Sequence, residues 1–195
     1  MKRLFDILIS GLGLLALSPL FIVVAVWIKV DSQGPVFYRQ TRVGKGNKDF
    51  HLLKFRSMVS DADKSGLLTV GGHDSRVTRA GYFIRKYKLD ELPQLINVFL
   101  GDMSLVGPRP EVRKYVDMYT PEQLHVLDIR PGITDAASIK YRNENDLLAA
   151  ADNPEQYYID VIMPDKLRIN LEYVAHHSLI GDLKLIFDTF IAILK

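Results

Sequence analysis

Asp90 and Glu91 stand side by side in Lys88-Leu-Asp-Glu-Leu-Pro-Gln-Leu95, at the expected head of an amphipathic helix. Arg85 lies five residues before Asp90, and Arg109 stands between prolines in Gly107-Pro-Arg-Pro110. Successive residues on a helix differ in direction by about 100°, so the two carboxylates suit two jobs rather than one shared proton. One could serve as nucleophile or metal ligand while the other orients the metal or moves a proton. Prolines restrict the backbone around Arg109, and a guanidinium so held can grip a phosphate with two nitrogens. A helix start adds free backbone donors for phosphate oxygens. These are the parts of metal-assisted phosphoryl chemistry. The plainer assignment, Asp90 as a helix cap and Glu91 as a favourable first-turn charge, uses the same residues.

Lys54 and Arg56 alternate with Phe55, so in a strand both project from one face and add cations. Other chemistries lack their parts. The chain has no cysteine, which excludes disulfides and thiolate metal sites. His51, His73, His125, His176 and His177 do not have the spacing of a zinc helix motif. No serine sits in a nucleophile elbow, and Gly44-Lys-Gly46 falls short of a P-loop. A formal charge of +2 gives no bulk electrostatic footprint for nucleic acid.

The 195 residues suffice for one compact unit. Two short strands are expected at Val36–Thr41 and Asp49–Met58, joined through Gly44-Lys-Gly-Asn47 as a hairpin. Residues 60–75, with Gly66, Gly71 and Gly72, read as a polar loop. Thr78 can cap a helix toward Tyr87. Leu89, Leu92, Leu95, Ile96 and Phe99 then form an apolar helix face, with Asp90, Gln94 and Asn97 opposite. Thr120-Pro-Glu-Gln123 and Asn153-Pro-Glu155 open further helices, the second bent or split at Pro164. Ser178–Leu194 is a last amphipathic stretch, with Leu179, Leu183, Ile186, Phe187, Phe190 and Leu194 on one side. Such helices build a soluble core or lie in a membrane interface. An exposed amphipathic face would serve a homodimer as readily as lipid.

Leu4 to Val30 carries only Asp6 and Lys29 as charges and is long enough to enter a bilayer. Its apolar run exceeds a signal-peptide core and no small-residue cleavage pattern follows, so a retained segment is expected. A transferase of many spans is not expected, since this is the one segment of that length and apolarity. Lys2 and Arg3 precede it, and Lys29, Arg39, Arg42, Lys45 and Lys48 follow, which puts positive charge at both ends. A segment that turns back at Ser18-Pro19 and a kinked spanning helix both fit these residues.

Taken together, Lys2-Arg3, Ser18-Pro19, Lys54-Phe-Arg-Ser-Met58, Leu89-Asp-Glu-Leu-Pro-Gln-Leu95, Gly101-Asp-Met-Ser104, Gly107-Pro-Arg-Pro110 and Arg130-Pro-Gly-Ile-Thr134 resemble the bacterial sugar transferases, small monotopic phosphoglycosyl transferases. The resemblance covers nearly the whole chain. It implies a mainly helical α+β body over residues 31–195, with a small hairpin and interfacial amphipathic helices. Residues 1–30 would form a re-entrant helix broken at Ser18-Pro19, both ends on the cytoplasmic face of the bacterial plasma membrane. The implied reaction passes a sugar 1-phosphate from a UDP-sugar to polyprenyl phosphate, usually undecaprenyl phosphate, with Mg²⁺. Asp90 would be nucleophile and metal ligand, and Glu91 would support the metal or move a proton. Arg85 and Arg109, and more weakly Lys54 and Arg56, would bind phosphate. Many members follow Pro-Gly-Ile-Thr with Gly, a Gln and an Asn-Gly-Arg-Asn element. Here Asp135-Ala-Ala-Ser-Ile-Lys-Tyr-Arg-Asn143 keeps only Arg142-Asn143, in a region expected to touch nucleotide or sugar. A hydrolase, or a membrane-bound scaffold or nucleotide-sugar sensor, are the competing classes.

Overall fold

The computed structural model describes residues 1–59 and 75–194. The expected loop with Gly66, Gly71 and Gly72, and the side chain of Leu194, lie outside them. Helix α1 (Lys2–Asp31) leads into a hairpin of β1 (Phe37–Val43) and β2 (Asp49–Phe55). Then follow α2 (Arg79–Lys86), a 3₁₀ turn (Leu89–Glu91), α3 (Gln94–Leu100) and β3 (Ser104–Val106). Helix α4 (Arg113–Val116) and a second 3₁₀ stretch (Gln123–Asp128) precede β4 (Gly132–Thr134), which pairs in parallel with β3. Helices α5 (Ala136–Lys140), α6 (Glu144–Ala149), α7 (Pro154–Tyr157), α8 (Met163–His176) and α9 (Leu179–Leu194) complete the described chain. The architecture is mainly helical with small sheets.

Helix α1 is apolar and 30 residues long, enough to cross a membrane by length and composition. Its helical backbone continues through Ser18-Pro19, so the expected break is a proline inside one helix rather than a gap. Pro19 has no N–H to give to the carbonyl of Leu15, four residues back. The Ser18 hydroxyl donates to that same carbonyl at 2.8 Å. Leu4, Leu8, Leu12, Leu15, Ile22, Val26 and Val30 form an exposed stripe at helical spacing.

The opposite face of α1 docks on the body at both ends. Near the start, buried Asp6 accepts from the Ser104 hydroxyl at 2.9 Å and the Leu105 N–H at 3.1 Å. Arg3 donates to the carbonyls of Val98 (2.6 Å) and Phe99 (2.9 Å) at the end of α3. Near the other end, Val24 and Ile28 join a core with Phe55, Ala80 and Ile84, and Asp31 accepts from the Ala80 N–H at 3.0 Å. A second core gathers Leu52, Val98, Met103 and Val106. A third gathers Tyr115, Tyr158, Ile162 and Leu167.

Several expectations shift in detail. Strand β2 ends at Phe55 rather than Met58. Arg56 N–H still bonds the Val36 carbonyl at 2.9 Å, but Pro35 beyond it can donate nothing to continue the ladder. The helix expected from Leu89 to Phe99 is a 3₁₀ turn followed by α3, with Pro93 at the joint. Gln94 and Asn97 are buried instead of facing solvent. Asn97 is satisfied there, accepting from Leu53 N–H at 2.9 Å and donating to the His51 carbonyl at 2.8 Å, which ties α3 to β2. Thr120 and Gln123 exchange the reciprocal bonds of a capping box, as their spacing requires. Between Asn153 and His176 the chain stays helical, with a π-type segment at Tyr158–Ile162 just before Pro164. The wider turn accommodates the proline, so α7 and α8 are joined rather than split.

Candidate active site

The two carboxylates sit on the 3₁₀ turn between α2 and α3. Lys88, the residue before it, has φ 55°, a left-handed conformation that non-glycine residues seldom hold. On a 3₁₀ turn successive side chains point about 120° apart, and here they meet different neighbours. Glu91 Oε1 accepts from Lys54 Nζ at 3.1 Å. Its carboxylate also takes both terminal nitrogens of Arg109, Nη2 on Oε1 and Nη1 on Oε2, the latter at 3.4 Å. Asp90 has no hydrogen bond or ion pair among the described residues. Lys54, Arg85 and Lys88 are the cations that act on it.

The charges follow from these surroundings. Burial raises Asp90, and although Lys54 opposes the shift, Glu91 reinforces it. Glu91 is held well below the usual carboxylate range, because Arg109 and Lys54 together outweigh the cost of burying it. Arg109 is raised by Glu91. Lys54 is lowered, since burial outweighs its pairing with Glu91. Asp90 is thus the more basic carboxylate of the pair, and Glu91 is already neutralised.

Arg109 is placed by backbone rather than by its own side chain. Gly107 and Gly132 face each other where β3 meets β4. A Cβ on Gly132 would lie 2.1 Å from Gly107 N, and one on Gly107 would lie 2.5 Å from the Arg130 carbonyl. Only glycine permits this approach, which lets Gly132 N–H bond the Pro108 carbonyl at 3.0 Å. Asp135, completely buried, then accepts the Arg109 N–H at 2.7 Å and caps α5 through the Ser138 N–H at 2.5 Å. Burial raises the Asp135 carboxyl against those two bonds. The sequence places Asp135 only in the segment that departs from the family pattern and gives it no role. Its second partner comes from 26 residues earlier.

The expected site residues do not all converge. Lys54, Arg85, Asp90, Glu91 and Arg109 line one cleft of about 1,990 Å³, and Arg142 lies exposed along it. Arg56 also borders the cleft, but its guanidinium is turned to the end of α1. Its Nη2 donates to the Ser32 carbonyl at 2.8 Å and to the Ser32 hydroxyl at 3.0 Å, and Nη1 bonds the Gln33 carbonyl. The alternation with Lys54 fails because β2 has ended before Arg56. Ile9, Gly13 and Leu17 of α1 and Ile186 and Phe190 of α9 give the same cleft an apolar part of its lining.

No group of three or more His, Asp or Glu gathers as a metal cage among the described residues. Mg²⁺ is commonly held by one or two carboxylates completed by substrate phosphates and water. Asp90, unpaired beside a cleft with cations for phosphate, fits that donor set. Glu91, already paired twice, does not.

A carboxylate raised by burial thus shares one cleft with several cations and with apolar residues of α1 and α9. The chain is 40% identical over 99% of its length to a UDP-N-acetylgalactosamine-undecaprenyl-phosphate N-acetylgalactosaminephosphotransferase of Aeromonas hydrophila. It is 38% identical over 96% of its length to a UDP-glucose:undecaprenyl-phosphate glucose-1-phosphate transferase of Klebsiella pneumoniae. The chain spans 43% and 39% of the length of these two proteins. It spans 94% of an exopolysaccharide production protein PSS of Rhizobium leguminosarum, at 38% identity. A family model described as bacterial sugar transferase matches residues 1–195 from end to end. With that match and this site, the chain belongs to the bacterial sugar transferase family.

Proposed function

We propose that this protein transfers a sugar 1-phosphate from a UDP-sugar to polyprenyl phosphate, giving polyprenyl-diphosphate-sugar and UMP. The observation that carries the reading is the division of labour on one turn: Asp90 free and made more basic, Glu91 bound to Arg109 and Lys54. A carboxylate oxygen of Asp90 attacks the β-phosphorus of the donor. The new P–O bond forms as the bond from that phosphorus to the bridging oxygen breaks, and UMP leaves with the oxygen. A phosphate oxygen of the lipid then attacks the same phosphorus and displaces Asp90, restoring the carboxylate. Two steps spare the enzyme from holding two bulky anions at once. Arg109, Lys54, Arg85 and Lys88 oppose the phosphate charge, and Arg142, exposed along the cleft, adds a further cation for the donor. Glu91 keeps Arg109 and Lys54 in place rather than moving a proton. Mg²⁺, held by Asp90 and substrate oxygens, would supply neutralisation of the diphosphate.

The apolar lining from α1 and α9 supports a lipid acceptor. Docking of both α1 ends on one body supports a re-entrant segment, with the site at the cytoplasmic face of the bacterial plasma membrane. A spanning helix would have to leave that body at one end.

The test is UMP release from a panel of UDP-sugars with Mg²⁺, with and without undecaprenyl phosphate, in wild type and Asp90→Asn. Lipid-dependent release that is lost in Asp90→Asn supports the transferase. Steady release without lipid makes the protein a hydrolase. Absence of release from every donor, in folded membrane-bound protein, leaves a scaffold or sensor.

A further inference from the structure

A smaller cavity of about 210 Å³ lies behind the Pro108-Arg109-Pro110 turn, inside the third core. Met163, Lys166, Leu167 and Asn170 line it from one face of α8, spaced as helical neighbours. Asn170 is only 5% exposed, and its side-chain oxygen has no hydrogen-bond partner among the described residues. A buried amide oxygen left unpaired is costly and rare, so something must satisfy it. Tyr115 and Tyr119 also border the cavity, and neither hydroxyl has a hydrogen-bond partner among the described residues.

The charges in the wall define the class of occupant. Arg42 pairs with Glu111 at 3.0 Å, Lys166 with Glu144 at 2.8 Å, and Arg109 with Glu91. Arg42 and Lys166 are neutralised within the wall, and Arg109 turns its guanidinium to Glu91 in the neighbouring cleft, so the chamber itself does not invite an anion. What stays open is an amide oxygen and two phenol hydroxyls, beside carboxylates with lone pairs to spare and apolar surface from Val116, Val126 and Leu167. A neutral ring with several hydroxyls on its edge and an apolar face matches that lining. A uracil ring has a single N–H to offer and matches it less well. The volume is below the ~300–1,000 Å³ of sites that enclose a whole drug-sized ligand, so it suits one ring of a larger molecule.

Arg42, Arg109, Glu144 and Lys166 line both this chamber and the Asp90 cleft, so the two adjoin at Arg109. We propose that the chamber behind Arg109, closed by Asn170, Tyr115 and Tyr119, is the subsite for the donor's sugar ring and sets which sugar is accepted. This rests on the donor reading above. With the β-phosphate at Arg109, the sugar it carries passes behind the turn while the nucleotide stays in the open cleft.

The test compares wild type, Asn170→Leu and Tyr119→Phe in two assays on full-length membrane protein. Calorimetric binding of UDP-sugars and of UMP is measured first, then the KM and kcat for UMP release across the same donors. Expected are a loss of at least tenfold in UDP-sugar affinity for Asn170→Leu and about threefold for Tyr119→Phe, a changed order of donors, and UMP affinity within twofold of wild type. Unchanged donor affinity and order would mean the cavity holds water only, and the proposal falls. Equal losses for UMP and UDP-sugar would also overturn it, placing the nucleotide there or reporting a disturbed fold. The Tyr119→Phe result guards against misfolding, since it removes one oxygen and no volume. The binding assay reads the subsite even without turnover, so a protein that binds UDP-sugar better than UMP yet releases no UMP would sink the transferase reading alone.

Discussion

Arg109 holds Glu91 with both terminal nitrogens, and this pairing separates Glu91 from its sequence neighbour Asp90. One carboxylate becomes part of a fixed cationic frame. The other keeps its lone pairs for substrate.

Asp90→Asn should abolish UMP release, by about a thousandfold or more, since a reaction that loses its nucleophile loses most of its catalysis. The same variant should be at least as stable as wild type at pH 8. Folding raises the Asp90 pKa, so its ionised form opposes folding above that value, and the amide removes the penalty. As pH falls through the raised value, the difference in Tm should shrink. Thermal melts from pH 8 to pH 4 check this, and an unfolded Asp90→Asn would count against it. The acid limb of the activity profile should likewise lie above that of an ordinary aspartate.

Glu91→Gln should act oppositely. Folding lowers the Glu91 pKa, so its stabilisation is complete above the ordinary value of 4.5 and is lost as pH falls through the lower folded value. At neutral pH the amide should cost about 1–3 kcal/mol, because two partly buried cations lose their anion. The donor KM should rise as Arg109 and Lys54 lose their fixed positions. Chemical denaturation beside steady-state kinetics checks both. An unchanged KM with a large fall in kcat would instead assign Glu91 to proton transfer.

Asp135→Ala should leave two partly buried backbone N–H groups, those of Arg109 and Ser138, without acceptors. Each such loss costs about 1–3 kcal/mol. The structural loss should appear as a Tm several degrees lower. Displacement of the Arg109 turn should appear separately, as a higher donor KM with kcat less affected. Asp135→Asn, which keeps one acceptor oxygen, should fall between.

How far the site could be read from sequence depended on how local each cause was. Asp90, Glu91 and Arg109 stood out because carboxylates in sequence and an arginine between prolines are local patterns. The role of Ser18 was legible for the same reason, because Pro19 and its orphaned carbonyl lie within one turn. Burial of Asn97 was not, since its partners His51 and Leu53 come from a strand some 40 residues away. Arg56 misled because a period-2 pattern says nothing of where a strand stops. Asn170 sits on the core-facing stripe of α8 like any misplaced polar residue. Only the chamber in front of it gives it meaning.

Arg56→Leu should separate structure from catalysis. Arg56 is 5% exposed, and its bonds to Ser32 and Gln33 close the end of α1. Removing it strips those carbonyls of their donors, at a cost of about 2–4 kcal/mol. Folded protein should keep a near-normal donor KM. A tenfold rise in KM at unchanged stability would return Arg56 to the phosphate site.

The absence of native cysteine allows α1 to be mapped with single-cysteine variants. A cysteine inserted after Met1 reports the first end, Lys48→Cys on the hairpin reports the second, and Ser18→Cys reports the middle. A re-entrant α1 predicts that a membrane-impermeant maleimide labels both end probes in sealed inside-out vesicles and neither in right-side-out vesicles. Ser18→Cys should stay unlabelled in both until detergent is added, because the exposed apolar stripe around it would then face hydrocarbon. The contacts of Arg3 with α3 and of Asp31 with Ala80 support that outcome, since one body holds both ends. End probes that label from opposite sides would make α1 a spanning helix. The contacts of one end would then have to break in the membrane.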